Sequence, residues 1–343
     1  MQRRYVWLLG IVALVCAGWT GVWFYASSYA DKAIEQALAR EAAQGRKWTC
    51  ANREIGGFPF RFAIRCGALS FSGQGRTGAI DANLGATRAI VQVYNPKLIL
   101  AEIDGPVQVK LPAGALRQVD AQWAAMRASL RLAKPIPERV SVHIEGLKGK
   151  VLSANGNSED ITAASVEFHL RPAPDVTANI GAVDVALVIK ALVTALADSA
   201  SGVDAPADAM IAARITRAPL LVAGPRDARL ENWRQGQGTL TLQNSVISKG
   251  PLQLEASGQL KLDDEHRLEG NINTRTAGAT VLMQRFGMPG GNTAGLLGGL
   301  LARRAKAAEE PRKKTFLPLP LMLRDGSVWV GPIRTKVRLL PLY

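Results

Sequence analysis

Leu252-Gln-Leu-Glu-Ala-Ser-Gly-Gln-Leu-Lys-Leu262 is the stretch that decides the fold class. Leu252, Leu254, Ala256, Gly258, Leu260 and Leu262 fall on one phase of a two-residue period; Gln253, Glu255, Ser257, Gln259 and Lys261 fall on the other. Side chains of a strand alternate between faces, so this pattern gives one dry face and one wet face, the habit of antiparallel sheets. The same alternation recurs upstream. Val107, Val109 and Leu111 alternate with Gln108 and Lys110; Val140, Val142 and Ile144 with Ser141, His143 and Glu145; Val166, Phe168 and Leu170 with Glu167, His169 and Arg171. Turn signals separate the runs at Asn95-Pro96, Asp104-Gly105-Pro106, Gly250-Pro251, Asp263-Asp264 and Asp325-Gly326. Strands that follow one another without helices make a meander. The fold expected is therefore mainly β: a large antiparallel, curved sheet, a sandwich or an open barrel, with a few short helices.

Two stretches break the alternation. Residues 191–213 are Ala-rich and then carry Gly202 and Pro206, which suggests a helix or a long loop between halves. Residues 277–310 suggest two short helices. The second of these carries Leu296, Leu297, Leu300 and Leu301, with Gly291, Gly295 and Gly299 at four-residue spacing and Arg303 and Arg304 at its edge. Such a segment fits a cap on the β core, a contact with a membrane, or a helix pairing through small residues. Arg303, Arg304, Lys306, Arg312, Lys313 and Lys314, opposed by Glu309 and Glu310, form the longest basic cluster.

The N-terminus has a different character. Tyr5–Tyr25 is twenty-one residues without a charge, preceded by Arg3 and Arg4. A helix of that length crosses a hydrocarbon core about 30 Å thick. Tyr5 and Trp7 at one end, with Trp19, Trp23, Phe24 and Tyr25 at the other, read as interfacial aromatic belts. Arginines on the amino side, against Asp31, Lys32 and Glu35 beyond the run, place the N-terminus in the cytoplasm. The expectation is a single-pass inner-membrane protein with a periplasmic body. A cleaved signal peptide is the alternative, with Ser28 and Ala30 as small residues before Asp31, but its apolar region is typically shorter, about 7–15 residues. The organisation expected is a membrane anchor over 1–28, a juxtamembrane helix over 29–48 stopped near Gly45, and an exported β domain over 49–343, which could form two halves near 49–222 and 226–343.

A net charge of +14 would suggest nucleic acid in a cytosolic protein. This topology directs the charge to the other compartment, where a solvated surface or anionic lipid headgroups suit it. Of three cysteines, Cys16 lies in the apolar run, leaving Cys50 and Cys66 for the exported body. An even count in an oxidising compartment favours a disulfide between them. Its loop of about sixteen residues is worth about 3 kcal/mol in the chain-entropy model. Metal ligation or a redox pair are the alternatives, without a C-x-x-C spacing or a nearby histidine to support them.

Catalytic signatures are scarce. His143, His169 and His266 are not spaced with a carboxylate or thiol as metal sites require. There is no G-x-S-x-G elbow and no P-loop. Carboxylates such as Asp104, Asp263, Asp264 and Asp325 fall at turns, where Asp has a structural role. No catalytic, cofactor or metal residue is assigned, and enzyme activity is not the expectation. A hydrolase would need carboxylates that the fold brings together.

Cys50-Ala-Asn-Arg-Glu-Ile-Gly-Gly-Phe-Pro-Phe-Arg-Phe-Ala-Ile-Arg-Cys66 is the most distinctive segment. Its Gly57-Phe58-Pro59-Phe60-Arg61 core after a lone N-terminal span resembles the bacterial family catalogued as domain of unknown function 2125. Phe168-His-Leu-Arg-Pro172, Trp233-Arg-Gln-Gly-Gln-Gly-Thr-Leu240, Gly250–Gly258, Leu262-Asp263 and Asp325-Gly-Ser-Val-Trp-Val-Gly-Pro332 are similar to it too. The resemblance implies a membrane-anchored envelope protein and carries no activity, cofactor or site residue. The phrasing at Gly258–Gly270 also gives a fold-level likeness to the β-groove proteins of envelope lipid transport. Phe58, Phe60 and Phe62 alternate with Pro59 and Arg61, so they read as one inner face, either core or the wall of a hydrophobic groove. Two functions follow as expectations: an anchored protein that binds lipid or another hydrophobic ligand in a β groove, or a solid-cored scaffold that binds an envelope protein.

Overall fold

A computed structural model describes residues 2–75, 78–112, 116–174, 181–222, 228–278 and 316–343. The chain forms two compact units, one of residues 1–130 and 149–158, the other of residues 131–148 and 159–343. Both are built from antiparallel strands of one large sheet, which does not close on itself among the described residues.

The first unit begins with α1 (Gln2–Ala43), an unbroken helix about 63 Å long at 1.5 Å per residue. The anchor and the juxtamembrane helix expected separately are thus one element as far as Ala43. Gly45, at φ +74°, ends it where the left-handed conformation needs a residue without a Cβ. The strands follow as β1 (Arg46–Ala51), β2 (Glu54–Gly56), β3 (Arg61–Cys66), β4 (Ala68–Gly75), β5 (Gly78–Leu84), β6 (Thr87–Gln92), β7 (Asn95–Ile103), β8 (Val107–Lys110), β9 (Leu116–Gln122) and β10 (Ala125–Arg131). They pair as two ladders. One runs β1-β4-β5-β8-β9 and sets Trp48, Phe71, Ala82, Val109 and Val119 in register. The other runs β2-β3-β6-β7, with β10 on β7, and sets Phe62, Val91 and Ile99 in register. A disulfide between Cys50 on β1 and Cys66 on β3 ties the ladders together, with Cα atoms 5.1 Å apart.

The second unit contains most of β11 (Arg139–Ser153) and of β12 (Ser158–Pro172), then β13 (Val183–Thr194), α2 (Ala195–Ser201), β14 (Ala207–Ile215), a 3-10 turn (Ala218–Leu221) and α3 (Arg229–Gln235). It continues with β15 (Leu240–Lys249), β16 (Leu252–Leu262), β17 (Leu268–Ala277), β18 (Leu317–Pro318), β19 (Leu321–Arg324), β20 (Ser327–Val330) and β21 (Ile333–Arg338). From β12 to β17 each strand pairs with the next. The eleven residues of β16 are those whose alternation first indicated a strand. The Ala-rich stretch 191–213 resolves into the end of β13, the helix α2 and most of β14. Thr194 caps α2, its hydroxyl accepting from the Leu196 amide at 3.2 Å, and Gly202 at φ +71° closes it.

Candidate functional site

Register turns the second unit's alternation into a continuous surface. One row across the sheet reads Leu170, Val185, Ala213, Leu242, Gly258, Ile272, Leu321 and Val330. The next towards α2 carries Phe168, Leu187 and Ile211, and the one beyond it Val166, Ile189, Ala209, Ile247 and Leu254. The opposite face mixes an apolar row, Val188, Met210 and Val246, with ion pairs: Asp184 with Arg214 at 2.7 Å, Glu255 with Arg275 at 2.5 Å, Lys261 with Glu269 at 3.2 Å. A bulge at Asn244, φ +39°, shifts the phase of β15 so that Leu242 and Ile247 both join the apolar face.

The ends of that face are closed, and its middle is buried at Ala213, Ser245, Thr274 and Thr276 but open at three larger side chains. Val183, Leu260, Leu262 and Leu323 are buried at one end, and Ala207, Lys249 and Leu252 at the other. Between them Phe168 is 37% exposed, Ile247 40% and Leu254 36%. Each end has a specific closure. Trp233 of α3 is buried beside the first, its indole N–H donating to the Thr216 carbonyl at 2.7 Å. Gly236 and Gly238 follow it because a Cβ at Gly238 would lie 2.2 Å from the indole. At the second end the Lys249 ammonium donates to Asp198 of α2 and to the Ala205 carbonyl, both at 2.5 Å. A buried cation is thereby neutralised at the margin of an apolar surface, which is the condition for its burial.

The polar face holds two of the three histidines. His143 lies 3.0 Å from Glu145 and 3.6 Å from Glu167; His169 lies 3.3 Å from Glu167 and 3.1 Å from the Ser141 hydroxyl. All are part-exposed, and no group of three or more His, Cys, Asp or Glu side chains among the described residues is arranged to hold a metal ion. His266 stacks on Tyr343, ring centroids 4.3 Å apart. Tyr343 donates to Glu231 at 2.7 Å, which also accepts two bonds from Arg234.

In the first unit, Phe58, Phe60 and Phe62 meet α1. Phe58 and Phe60 belong to a turn that precedes β3 rather than to the strand, and Phe62 alone of the three is a strand residue. The Arg61 amide closes the turn on the Gly57 carbonyl at 3.1 Å. Gly57 sits at φ +107°, and a Cβ there would lie 2.6 Å from the Arg61 carbonyl oxygen. Phe62 stacks on Trp23, Phe58 meets the same indole edge-on, and Phe60 approaches Trp19 at 6.4 Å. The two indoles donate to the turn's backbone, Trp19 to Pro59 O at 3.0 Å and Trp23 to Arg61 O at 3.3 Å. Farther along the helix, Asp31 and Glu35 both bind Arg53, at 2.7 and 2.9 Å. The sequence reads Trp23 as part of an interfacial aromatic belt and does not show this contact. Its one signal is the four-residue spacing of Trp19 and Trp23, which puts both on one helix face. The cap segment with Leu296, Leu297, Leu300, Leu301, Arg303 and Arg304 lies outside the described residues.

No curated protein and no solved structure matches the chain. A family model described as "Uncharacterized protein conserved in bacteria (DUF2125)" matches residues 23–336, from the buried Trp23 through the Phe turn, the disulfide, the Trp233 helix and the strands of the apolar face. With both units so spanned, the chain belongs to that bacterial family, DUF2125.

Proposed function

We propose that this protein is a membrane-anchored envelope protein that holds the acyl chain of a lipid, or a similar long apolar ligand, on the apolar face of its second unit. The observation that carries the reading is the exposed middle of that face. Phe168, Ile247 and Leu254 stay part-exposed between closed ends, on a sheet whose other face carries the ion pairs. Apolar side chains in register across several strands offer an extended strip, the shape a hydrocarbon chain fits, and desolvating it contributes about 25 cal/mol per Å². The helix α1 supplies the anchor, being long and apolar enough to cross a membrane. Arg3 and Arg4 then stay in the cytoplasm and both units lie in the periplasm. The role is binding rather than catalysis.

The test is native mass spectrometry of the full chain extracted gently from bacterial membranes. A co-purifying lipid mass that disappears in Phe168→Asp or Leu254→Asp supports the reading. A clean apo mass, unchanged after incubation with phospholipid, overturns it and leaves a protein-binding scaffold as the function to pursue. A reporter enzyme fused after Tyr343 and read in intact cells tests the topology independently.

A further inference from the structure

We propose that the Gly57–Phe62 turn is a membrane wedge: Phe58 and Phe60 sit among lipids at the far boundary of the hydrocarbon core, held there by Trp19 and Trp23. The inference rests on reading α1 as a retained anchor. Counted from Arg4, Trp19 is fifteen residues along the helix and Trp23 nineteen, about 22 and 28 Å at 1.5 Å per residue. The hydrocarbon core is about 30 Å thick. Both indoles therefore reach the last part of the core, and any tilt of the helix takes them deeper. The turn is fixed to that level by two hydrogen bonds, Trp19 to Pro59 and Trp23 to Arg61, and by the rings stacked on Trp23.

The chemistry of the turn suits that depth. Phe58 is 50% and Phe60 63% exposed, beside helix side chains that are themselves exposed and apolar, such as Val15, Val22 and Phe24. Rings and helix form one continuous apolar surface, and the occupant that covers the helix covers the turn. Indole N–H groups in hydrocarbon need acceptors from the protein, and the turn's carbonyls supply them. The first acidic side chains of the helix, Asp31 and Glu35, lie about 40 Å or more from Arg4, past the core, where they bind Arg53. Arg61, exposed and next to Phe60, is placed for lipid phosphates at the boundary. The consequence is a first unit seated on the bilayer at a fixed height instead of tethered above it on a stalk.

The test reconstitutes the full chain in vesicles of phosphatidylethanolamine and phosphatidylglycerol. In a Cys16→Ser background, single cysteines replace Phe60, Val12 or the exposed Lys110, which is in register with Lys47 just past the far end of α1, and carry an environment-sensitive fluorophore; the Cys50–Cys66 disulfide stays intact. Phe60 is exposed enough that the label displaces little packing. The proposal expects the Phe60 probe to emit blue-shifted light and lose intensity to lipids spin-labelled near the headgroup. The Val12 probe should respond to lipids labelled at the chain end, and the Lys110 probe to neither. A quenched Val12 probe with a Phe60 probe that behaves like Lys110 overturns the wedge and keeps the anchor. A Phe60 probe that is blue-shifted yet unquenched also overturns it, since a protein surface or a second copy then covers the rings. An unquenched Val12 probe overturns the anchor reading, and the wedge with it.

Discussion

The rings of Trp23 and Phe62 stack 14° from parallel with centroids 5.7 Å apart, one on the long N-terminal helix and one on β3 of the first unit. Trp23 is 6% exposed, so this is a core contact made by a residue of the apolar run. It turns the far end of the apolar helix into part of the folded domain.

The first prediction tests that fusion. Trp23→Ala removes a buried indole and its bond to the Arg61 carbonyl, and is expected to destabilise the first unit by about 3–5 kcal/mol. Phe62→Leu keeps volume and loses the stack, so its cost is smaller. Residues in contact couple, so the double variant should fall short of the sum by about 0.5–3 kcal/mol. Pulse proteolysis of the full chain in micelles reads all three. Additive costs would show that the stacking is incidental.

A second prediction concerns the two glycines after Trp233. A Cβ at Gly238 would meet the indole at 2.2 Å, and the indole is held by its bond to Thr216. Gly238→Ala is therefore expected to cost about 1–3 kcal/mol through overpacking. At Gly236 the closest atom is the tip of the Leu220 side chain, 2.4 Å away, which can rotate aside. Gly236→Ala should be the milder change. Thermal unfolding of both variants, with tryptophan fluorescence to follow Trp233, decides the order.

These residues also show what a sequence can carry. The strand at Leu252–Leu262 was legible because one face is apolar and the other solvated, and that contrast is local. The Cys50–Cys66 pair followed from counting thiols outside the apolar run. Phe58, Phe60 and Phe62 share a period-two phase and so looked like one strand face. The structure starts β3 only at Arg61, because Gly57 at φ +107° lets the chain turn there and the Arg61 amide bonds back to it. The contact of Trp23 with these rings was not legible for a different reason. An aromatic at the end of an apolar helix looks the same whether lipid or protein covers it, and the rings that do cover it lie thirty-five and more residues away. The polar phase of His143 and His169 was visible, whereas the carboxylate of Glu167 between them depends on tertiary placement.

A third prediction separates charge from packing at the α2 end of the apolar face. The Lys249 side chain is 6% exposed and its partner Asp198 29%. Asp198→Asn leaves a buried cation without its counter-charge and is expected to cost about 3–5 kcal/mol. Lys249→Met with Asp198→Asn replaces the pair by a hydrophobe of similar length, so its cost should be much smaller. Denaturant unfolding gives the comparison; equal costs for the two would mean that the ion pair is not what holds α2 against β15.

The last prediction is a pH profile for the second unit. Hydrogen bonds from Arg234, then from Tyr343 and Gln235, hold the Glu231 carboxyl far below its ordinary value of 4.5, with His266 3.5 Å away and Asp264 on the other side of Arg234. A lowered carboxylate pKa contributes stability that is present above about pH 4.5 and is lost as the pH falls through the folded value. Tyr343 is pushed up from 10.0 to about 12, by burial first and then by its bond to Glu231. A raised pKa contributes stability that is full below pH 10 and is lost as the pH rises towards about 12. Thermal unfolding should therefore show a plateau between pH 4.5 and 10 with a fall on each side. Glu231→Gln should lower the plateau and flatten the acid limb, since the titrating group is gone; Tyr343→Phe should remove the alkaline limb and, by taking one donor from Glu231, make the acid limb shallower without abolishing it. If Glu231→Gln keeps the wild-type acid limb, the carboxylate does not carry the acid sensitivity, and another acid–base pair such as Asp263 with Arg267 does.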